Sequence, residues 1–249
     1  MPLLENFEKQ GAFLFKRRGT LPMIVVLMAF ALVYADHTHF ASKIHSSWFR
    51  WYEVFCLMIS LTGLLIRILT VCYTPKGTSG RNTDSQVADC LNTSGMYSIV
   101  RHPLYLGNFL MWLGLALMTF HFWFTLVVCF IYWIYYERIM FVEEQFLRRK
   151  YSEEYLNWAF RTPTFFPTLY LWQKPKGIFS YKKVLRQEKN GFFALFLMFF
   201  LVDLIRMMDD VSSFFVDEWY WTAGLLVGAV IYLVLKVMKY KTKLLTESV

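Results

Sequence analysis

Residues 94–107 read Ser-Gly-Met-Tyr-Ser-Ile-Val-Arg-His-Pro-Leu-Tyr-Leu-Gly. Two cations, two phenols and a proline stand here at the head of an apolar run. Proline suits the first turn of a helix and holds the residue before it in an extended conformation. The spacing therefore predicts a helix beginning near Leu104, with His102 outside it and its side chain available. About 40 residues later, at the foot of the next apolar run, stands the pair Glu143-Glu144. The two strings read as two sides of one site at a membrane surface, with the remaining chain as scaffold.

Working outward, the composition sets the class. Hydrophobic residues make up 57% of the 249-residue chain and aromatics 20%. With several apolar runs near bilayer length, this describes an all-α integral membrane protein. The net charge of +8 does not point to nucleic acid, because no aromatic-basic binding module accompanies it. In a membrane protein, basic excess marks cytoplasmic loops and contact with anionic headgroups. The first residues, 1–20, lack the pattern of a cleaved signal and are amphipathic with a basic end, suited to lying on a membrane.

Six apolar runs follow in order, at about 21–35, 48–73, 104–119, 122–136, 192–208 and 219–236. A turn-rich polar loop, 74–83, separates the second from the string at 94–107. Only Phe120-His121 separate the third and fourth runs, so these form a tight helical hairpin at about 104–136. As a helix the third run is roughly 24 Å long, short for a hydrocarbon core of about 30 Å. After Glu143-Glu144, residues 145–158 read as a separate interfacial helix, and a basic linker with Lys174, Lys176, Lys182, Lys183, Arg186 and Lys189 precedes the last two runs. The chain divides into an N-terminal part at 1–73, a core at 74–172 and a C-terminal two-helix extension at 173–249.

Counting cations orients the runs. The segment 145–190 carries ten Lys or Arg and the loop 74–101 carries Lys76, Arg81 and Arg101. By contrast, 36–47 has Lys43 alone, and 209–218 has no cation but Asp209, Asp210, Asp217 and Glu218. Six transmembrane helices with both termini in the cytoplasm satisfy the positive-inside rule at every loop. Both sides of the site then face the cytoplasm. A bacterial inner membrane is favoured over the endoplasmic reticulum, which fits equally by this rule.

The chemistry follows from the side chains. The helix start after His102 offers a positive dipole end, with Arg101 beside it. Gly107 and Gly114 would let a backbone or a ligand approach closely. Tyr97 and Tyr105 offer ring faces to an aromatic group or a cation, and Glu143-Glu144 offer negative charge to an ammonium or to hydroxyls. A ligand with a carboxylate, an ammonium, an aromatic ring and a further cation matches this inventory, and S-adenosylmethionine is such a ligand. The blander reading is that Arg101 pairs with Glu143 or Glu144 while the tyrosines form an interfacial belt.

The whole string, with Gly95, Tyr97, Arg101, His102, Pro103, Tyr105, Gly107, Glu143, Glu144, Tyr155, Trp158, Arg161 and Pro163 in place, resembles the isoprenylcysteine carboxyl methyltransferases and their phospholipid methyltransferase relatives. The resemblance covers about residues 77–168. It implies a membrane methyltransferase that binds S-adenosylmethionine at its cytoplasmic face and methylates a lipid or lipid-like acceptor through a carboxylate, phosphate or amine. Cofactor-binding residues would be Leu91, Asn92, Tyr97, His102, Pro103, Leu104, Tyr105, Glu143 and Glu144. Arg101 and Glu143 would be catalytic and Arg138 substrate-binding. Members often begin the stretch at 89 with His, where this chain has Asp89, and carry valine where it has Asn92. Ile139 stands where the prenylcysteine enzymes carry an arginine, with Arg138 one step away, which argues against a prenylated-protein acceptor. The rival reading is a non-enzymatic scaffold or small transporter.

Other features carry less. Cys56, Cys72, Cys90 and Cys129 are scattered and read as packing residues without a disulfide. His37, His39 and His45 lack an acid-rich partner, so no metal is expected. Gly224 and Gly228 form a close-packing pair within the chain or between copies, the one route to a homo-oligomer. Asp203 and Arg206 read as a local pair at the outer end of the fifth run.

Overall fold

The computed structural model describes residues 2–36, 47–75, 88–211, 214–215 and 218–241. His37, His39, His45, Lys76, Arg81 and Asp217 lie outside them. The described residues are helical throughout their regular structure, without a strand. The helices are α1 (Leu3–Lys16), α2 (Thr20–Ala35), α3 (Ser47–Val71), α4 (Met96–Ile99), α5 (Pro103–Met118), α6 (Phe122–Ala159), α7 (Tyr181–Arg206) and α8 (Trp219–Lys241).

The expected helix starts and the hairpin are present. Pro103 is the first residue of α5, behind His102, which stands outside the helix with φ of −121° and ψ of 61°. Phe120 turns the chain between α5 and α6 with φ of 58°, a left-handed conformation uncommon for an aromatic residue. Thr119 and Thr125 hold that turn by donating to the Ala116 carbonyl.

Three helical segments are long and apolar enough to cross a membrane: Trp48–Val71, Phe122–Ala159 and Trp219–Tyr240. Pro22–Ala35 and Pro103–Met118 are apolar but shorter. The first half of α7 carries Lys182, Lys183, Arg186, Glu188 and Lys189. Among the described residues, three helices meet the length and composition of a span, and the six read from the sequence are not shown.

Two boundaries also move. No new helix begins at 145: residues up to Tyr151 continue α6, and a second helical piece follows a break at Ser152, where φ is 46°. The basic linker is helical from Tyr181 onward, capped by the Ser180 hydroxyl, which accepts from the Lys183 N–H at 3.3 Å.

The core pair is α3 against α5, the most extensive helix contact. It depends on absent side chains. A Cβ on Gly114 would strike Ser60 Oγ and the Cys56 carbonyl, and Gly63 and Gly107 meet each other's backbone. The glycines read as a surface for a backbone or a ligand therefore receive the backbone of α3. Tyr52 and Ser60 add hydrogen bonds from α3 to the Leu117 and Met111 carbonyls of α5, at 2.7 and 3.0 Å.

The outer parts of the chain dock on this pair. The extension reaches it through Glu188, which accepts two bonds of 2.8 Å from the Arg67 guanidinium, while Arg67 also donates to Asn108 at 2.6 Å. One fork thus ties α3, α5 and α7 together. Helix α8 lies along α7, and Gly224 seats the Phe196 ring at 3.0 Å from where its Cβ would be. Within this chain, the Gly224–Gly228 surface is packing for α7.

The N-terminal helix does not only lie on a surface. Gly11 is buried against the Arg138 carbonyl and Val142 of α6, Phe7 meets Phe141 edge-on at 5.8 Å, and Glu8 pairs with Arg149 at 2.7 Å. Its other face, with Leu3, Leu4 and Phe13, is exposed.

Asp203 and Arg206 do form a local pair, and it is buried. They are buried with Glu53, which accepts from Arg206 at 2.7 Å, and Asp203 accepts at 3.2 Å. Tyr220 donates to the other Glu53 oxygen at 3.2 Å, joining α8 to α3 and α7.

Candidate active site

Gly95 opens the site. Its φ of 62° and ψ of −132° suit glycine alone, and the turn it makes allows three bonds in sequence. The Gly95 N–H donates to the Gln173 carbonyl at 3.0 Å, Ser98 Oγ donates to the Gly95 carbonyl at 2.7 Å, and the Gln173 N–H donates to Ser98 Oγ at 2.9 Å. From there, residues 99–102 run beside 163–168. The Arg101 N–H meets the Pro163 carbonyl at 2.8 Å, the His102 N–H meets Thr164 at 3.3 Å, and the Thr168 N–H meets Ile99 at 3.0 Å. The irregular stretch after α6, broken by Pro163 and Pro167, thus folds back over the Arg-His-Pro string.

This places the two acids against that string, as the sequence led one to expect. Arg101 donates through Nε to Glu144 at 2.9 Å and through Nη2 at 3.4 Å. His102 Nε2 lies 3.0 Å from the same carboxylate; a carboxylate only accepts here, so the ring nitrogen donates. His102 Nδ1 lies 3.7 Å from Glu143, and Tyr105 donates its hydroxyl to Glu143 at 2.7 Å. Each acid therefore has its own partners: Arg101 and His102 for Glu144, Tyr105 for Glu143.

Arg101 does more than pair. Nη1 donates to the Ala159 and Thr162 carbonyls at 2.7 and 3.2 Å, and Nη2 donates to Thr164 Oγ1. With the two bonds to Glu144, five acceptors meet its five N–H donors. The guanidinium closes the loop 159–164 over the site and fixes Glu144. Its place is that of a positioning group. The start of α5 likewise offers less than an open row of donors: the Tyr105 and Leu106 N–H groups close on the His102 carbonyl at 3.1 Å each. What remains is the positive end of the helix, facing the two acids.

Tyr97 stands near Glu143. Burial first, and then the Glu143 charge, push its phenol above the ordinary range, so it stays a neutral donor. Its carbonyl accepts from the Trp158 indole at 3.1 Å. Pro103 is buried and Leu104 half-buried at the head of α5; Leu91 and Asn92 are half-buried in the irregular stretch before Gly95.

Arg138 is not brought to this cluster. Its guanidinium lies 3.6 Å over the Phe7 ring of α1 and donates to Glu137 at 3.0 Å.

Several residues join the site without having been singled out as site residues. The Tyr155 hydroxyl is buried beside Glu144. Tyr136 packs 4.9 Å from Tyr105, and Tyr132 stacks on Tyr136 at 4.1 Å while donating to the Tyr105 carbonyl at 2.7 Å. Tyr132, Tyr136 and Glu143 share one helix face by spacing, a signal present in the sequence. Arg18, whose charge reaches Glu143 and Tyr105, comes from the other end of the chain and left no such signal. Among the described residues, no group of three His, Cys, Asp or Glu side chains is placed to hold a metal ion.

These residues fit S-adenosylmethionine by the chemistry of their donors and acceptors. Two carboxylates, three phenols and an imidazole converge there.

The cobalt-zinc-cadmium resistance protein CzcN of Cupriavidus metallidurans is 33% identical over 130 residues, covering 52% of this chain and 57% of the relative. The nickel-cobalt-cadmium resistance protein NccN of Alcaligenes xylosoxydans xylosoxydans is 30% identical over 130 residues, covering 52% of this chain and 58% of the relative. The chain thus spans little more than half the length of these curated relatives. No solved structure matches. Residues 53–154, which hold both the Arg-His-Pro and the Glu-Glu strings, match the phospholipid methyltransferase family, one of the two that the motifs resemble.

Proposed function

We propose that this protein transfers a methyl group from S-adenosylmethionine to a membrane lipid or lipid-like acceptor at the cytoplasmic face of a bacterial inner membrane. The observation that carries the reading is the joining of Arg101, His102 and Tyr105 to Glu143 and Glu144 inside the segment that matches the family. In this reading six helices, the two short ones included, sit in the bilayer with both termini in the cytoplasm. The stretch after α6 supports an interfacial placement. It exposes Phe160, Phe166, Tyr170, Trp172 and Tyr181 among Arg161, Lys174, Lys176 and Lys182, the mixture found at headgroup level.

S-adenosylmethionine supplies an electrophilic methyl group on a sulfonium. Glu143 and Glu144 would hold its ammonium and hydroxyls, with Tyr97, Tyr105, His102 and the segment 91–92 around them. Arg101 fixes Glu144 and the covering loop, so the carboxylates need not reorganise when the ligand arrives. The rate then comes from proximity in a site that 159–168 partly covers. An acceptor already ionised at neutral pH needs no base. For an amine acceptor, His102 Nδ1 is the nitrogen that faces Glu143.

The relatives' names add a setting of metal resistance. Methylating an anionic headgroup removes a cation-binding charge from the membrane surface, and this is how we connect the two.

The test is label transfer. Protein reconstituted in a membrane lipid extract is given S-adenosylmethionine labelled in its methyl group. Label is expected in the organic phase, reduced at least tenfold by Glu143→Ala. A folded wild-type sample that labels no lipid would contradict lipid methylation.

A further inference from the structure

We propose that the outer face of segment 160–181 docks on an anionic lipid leaflet, and that this docking orders the cover of the cofactor site. The docking stands by itself; its effect on the site rests on the methyl-transfer reading above.

Composition marks the segment first. Between Glu154 and Glu188 the chain has no acid but six cations, Arg161, Lys174, Lys176, Lys182, Lys183 and Arg186. Phe160, Phe166, Leu169, Tyr170, Trp172 and Ile178 fall in the same stretch and are all exposed, Tyr170 to 87% and Ile178 to 92%. Apolar residues exposed singly need no explanation, but a run of them marks a contact surface. Arg161, Lys174 and Lys176 are exposed among them. Large apolar side chains interspersed with cations match a bilayer surface that carries negative charge.

The fastening of the segment decides between a membrane and a soluble partner. At one end the Phe165 ring meets Trp133 edge-on at 5.4 Å, and Phe166 lies nearly parallel to Trp133 at 6.5 Å. Trp133 belongs to the apolar run of α6 and is itself exposed, so in a bilayer-spanning α6 it faces lipid. At the other end the Ser180 N–H donates to the Cys72 carbonyl at 2.8 Å, and Phe179 meets Tyr73 edge-on at 5.6 Å, just past the last turn of α3. The segment thus joins two helices that are long and apolar enough to cross a membrane. A strap held at those two places lies at headgroup depth.

Its inner face is spent on the site. Phe165 is buried with Tyr105 and Tyr136. The Gln173 carbonyl and N–H bond Gly95 and Ser98, and the Lys176 N–H donates to Ser94 Oγ at 3.1 Å. Arg101 holds the Thr162 carbonyl and Thr164. One segment therefore has the cofactor site on one side and lipid on the other. Whatever orders it from the lipid side favours the ordered cover, and a ligand that favours the ordered cover strengthens the lipid contact by the same factor.

The experiment uses the full chain in lipid discs, one set of phosphatidylcholine alone and one with about a third phosphatidylglycerol. Hydrogen exchange of the 160–181 amides is expected to be about tenfold slower on the anionic discs, and added salt is expected to shrink the difference. Lys174→Glu with Lys176→Glu is expected to erase it. Tyr170→Ser with Ile178→Ser is expected to speed exchange on both lipids. Wild type is expected to bind S-adenosylhomocysteine about fivefold more tightly on the anionic discs, and the lysine variant equally on both. Equal exchange on the two lipids, or an unchanged difference in the lysine variant, overturns the docking; the outer face would then serve a protein partner or none. Product binding that ignores lipid charge while exchange follows it overturns the link to the site. No product binding on either lipid, with exchange still following charge, retires methyl transfer and the link with it, and leaves the docking standing.

Discussion

Glu144→Ala is expected to weaken binding of S-adenosylhomocysteine, the product of methyl transfer, at least tenfold, and to lower stability by about 2–3 kcal/mol. Glu144 sits at the centre of the site's polar network. Removing it strips Arg101 of two of its five acceptors and His102 of its 3.0 Å partner. The guanidinium side chain is only 16% exposed, so water replaces the lost carboxylate poorly. The loop 159–164, held by the same fork, would loosen as well. Arg101→Lys should behave almost as badly as Arg101→Ala, since an ammonium cannot span carboxylate, carbonyls and hydroxyl at once. Calorimetric titration and thermal unfolding of the purified variants in detergent measure both effects. Unaltered binding in Glu144→Ala would remove Glu144 from the site.

The second large effect belongs to the opposite end of α3. Arg206→Met is expected to cost about 3–5 kcal/mol, because it leaves Glu53 and Asp203 buried with no cation between them. For a chain of this size that is a fall in Tm on the order of 10 °C. Replacing the group together, as Glu53→Gln, Asp203→Asn and Arg206→Met, should recover much of the loss, since no uncompensated charge remains. Glu53 and Arg67 lie 14 residues apart on α3, roughly 21 Å along a helix. Product binding per folded molecule should therefore change little. An Arg206→Met protein as stable as wild type would show that the cluster contributes nothing to holding α3, α7 and α8 together.

Much of the site was legible because its grammar is local. Proline after histidine marks a helix start wherever it occurs in such a run, and α5 begins at Pro103. Two residues between apolar runs can only make a hairpin. The pairing of Arg101 with Glu144 followed from charge at two adjacent helix ends. What was misread had charge in place of apolar periodicity. The residues 145–158 and 182–189 are rich in Glu, Gln, Leu, Arg and Lys, all good helix formers, so α6 runs on and α7 starts early. Reading those charges as an interfacial helix and a linker hid Glu188 and Lys183, both buried. Lys183 holds the segment after α3 by donating to the Thr74 and Pro75 carbonyls, a partnership across more than a hundred residues. Arg18 and Glu53 were missed for the same reason: their partners are set by packing, and no spacing rule connects them.

The most direct measurement is titration of the folded, detergent-solubilised protein with S-adenosylhomocysteine. Saturable binding that Glu143→Ala abolishes is the expected result. No binding to a sample shown to be folded would contradict a cofactor site between α5 and α6, and would favour the non-enzymatic membrane scaffold.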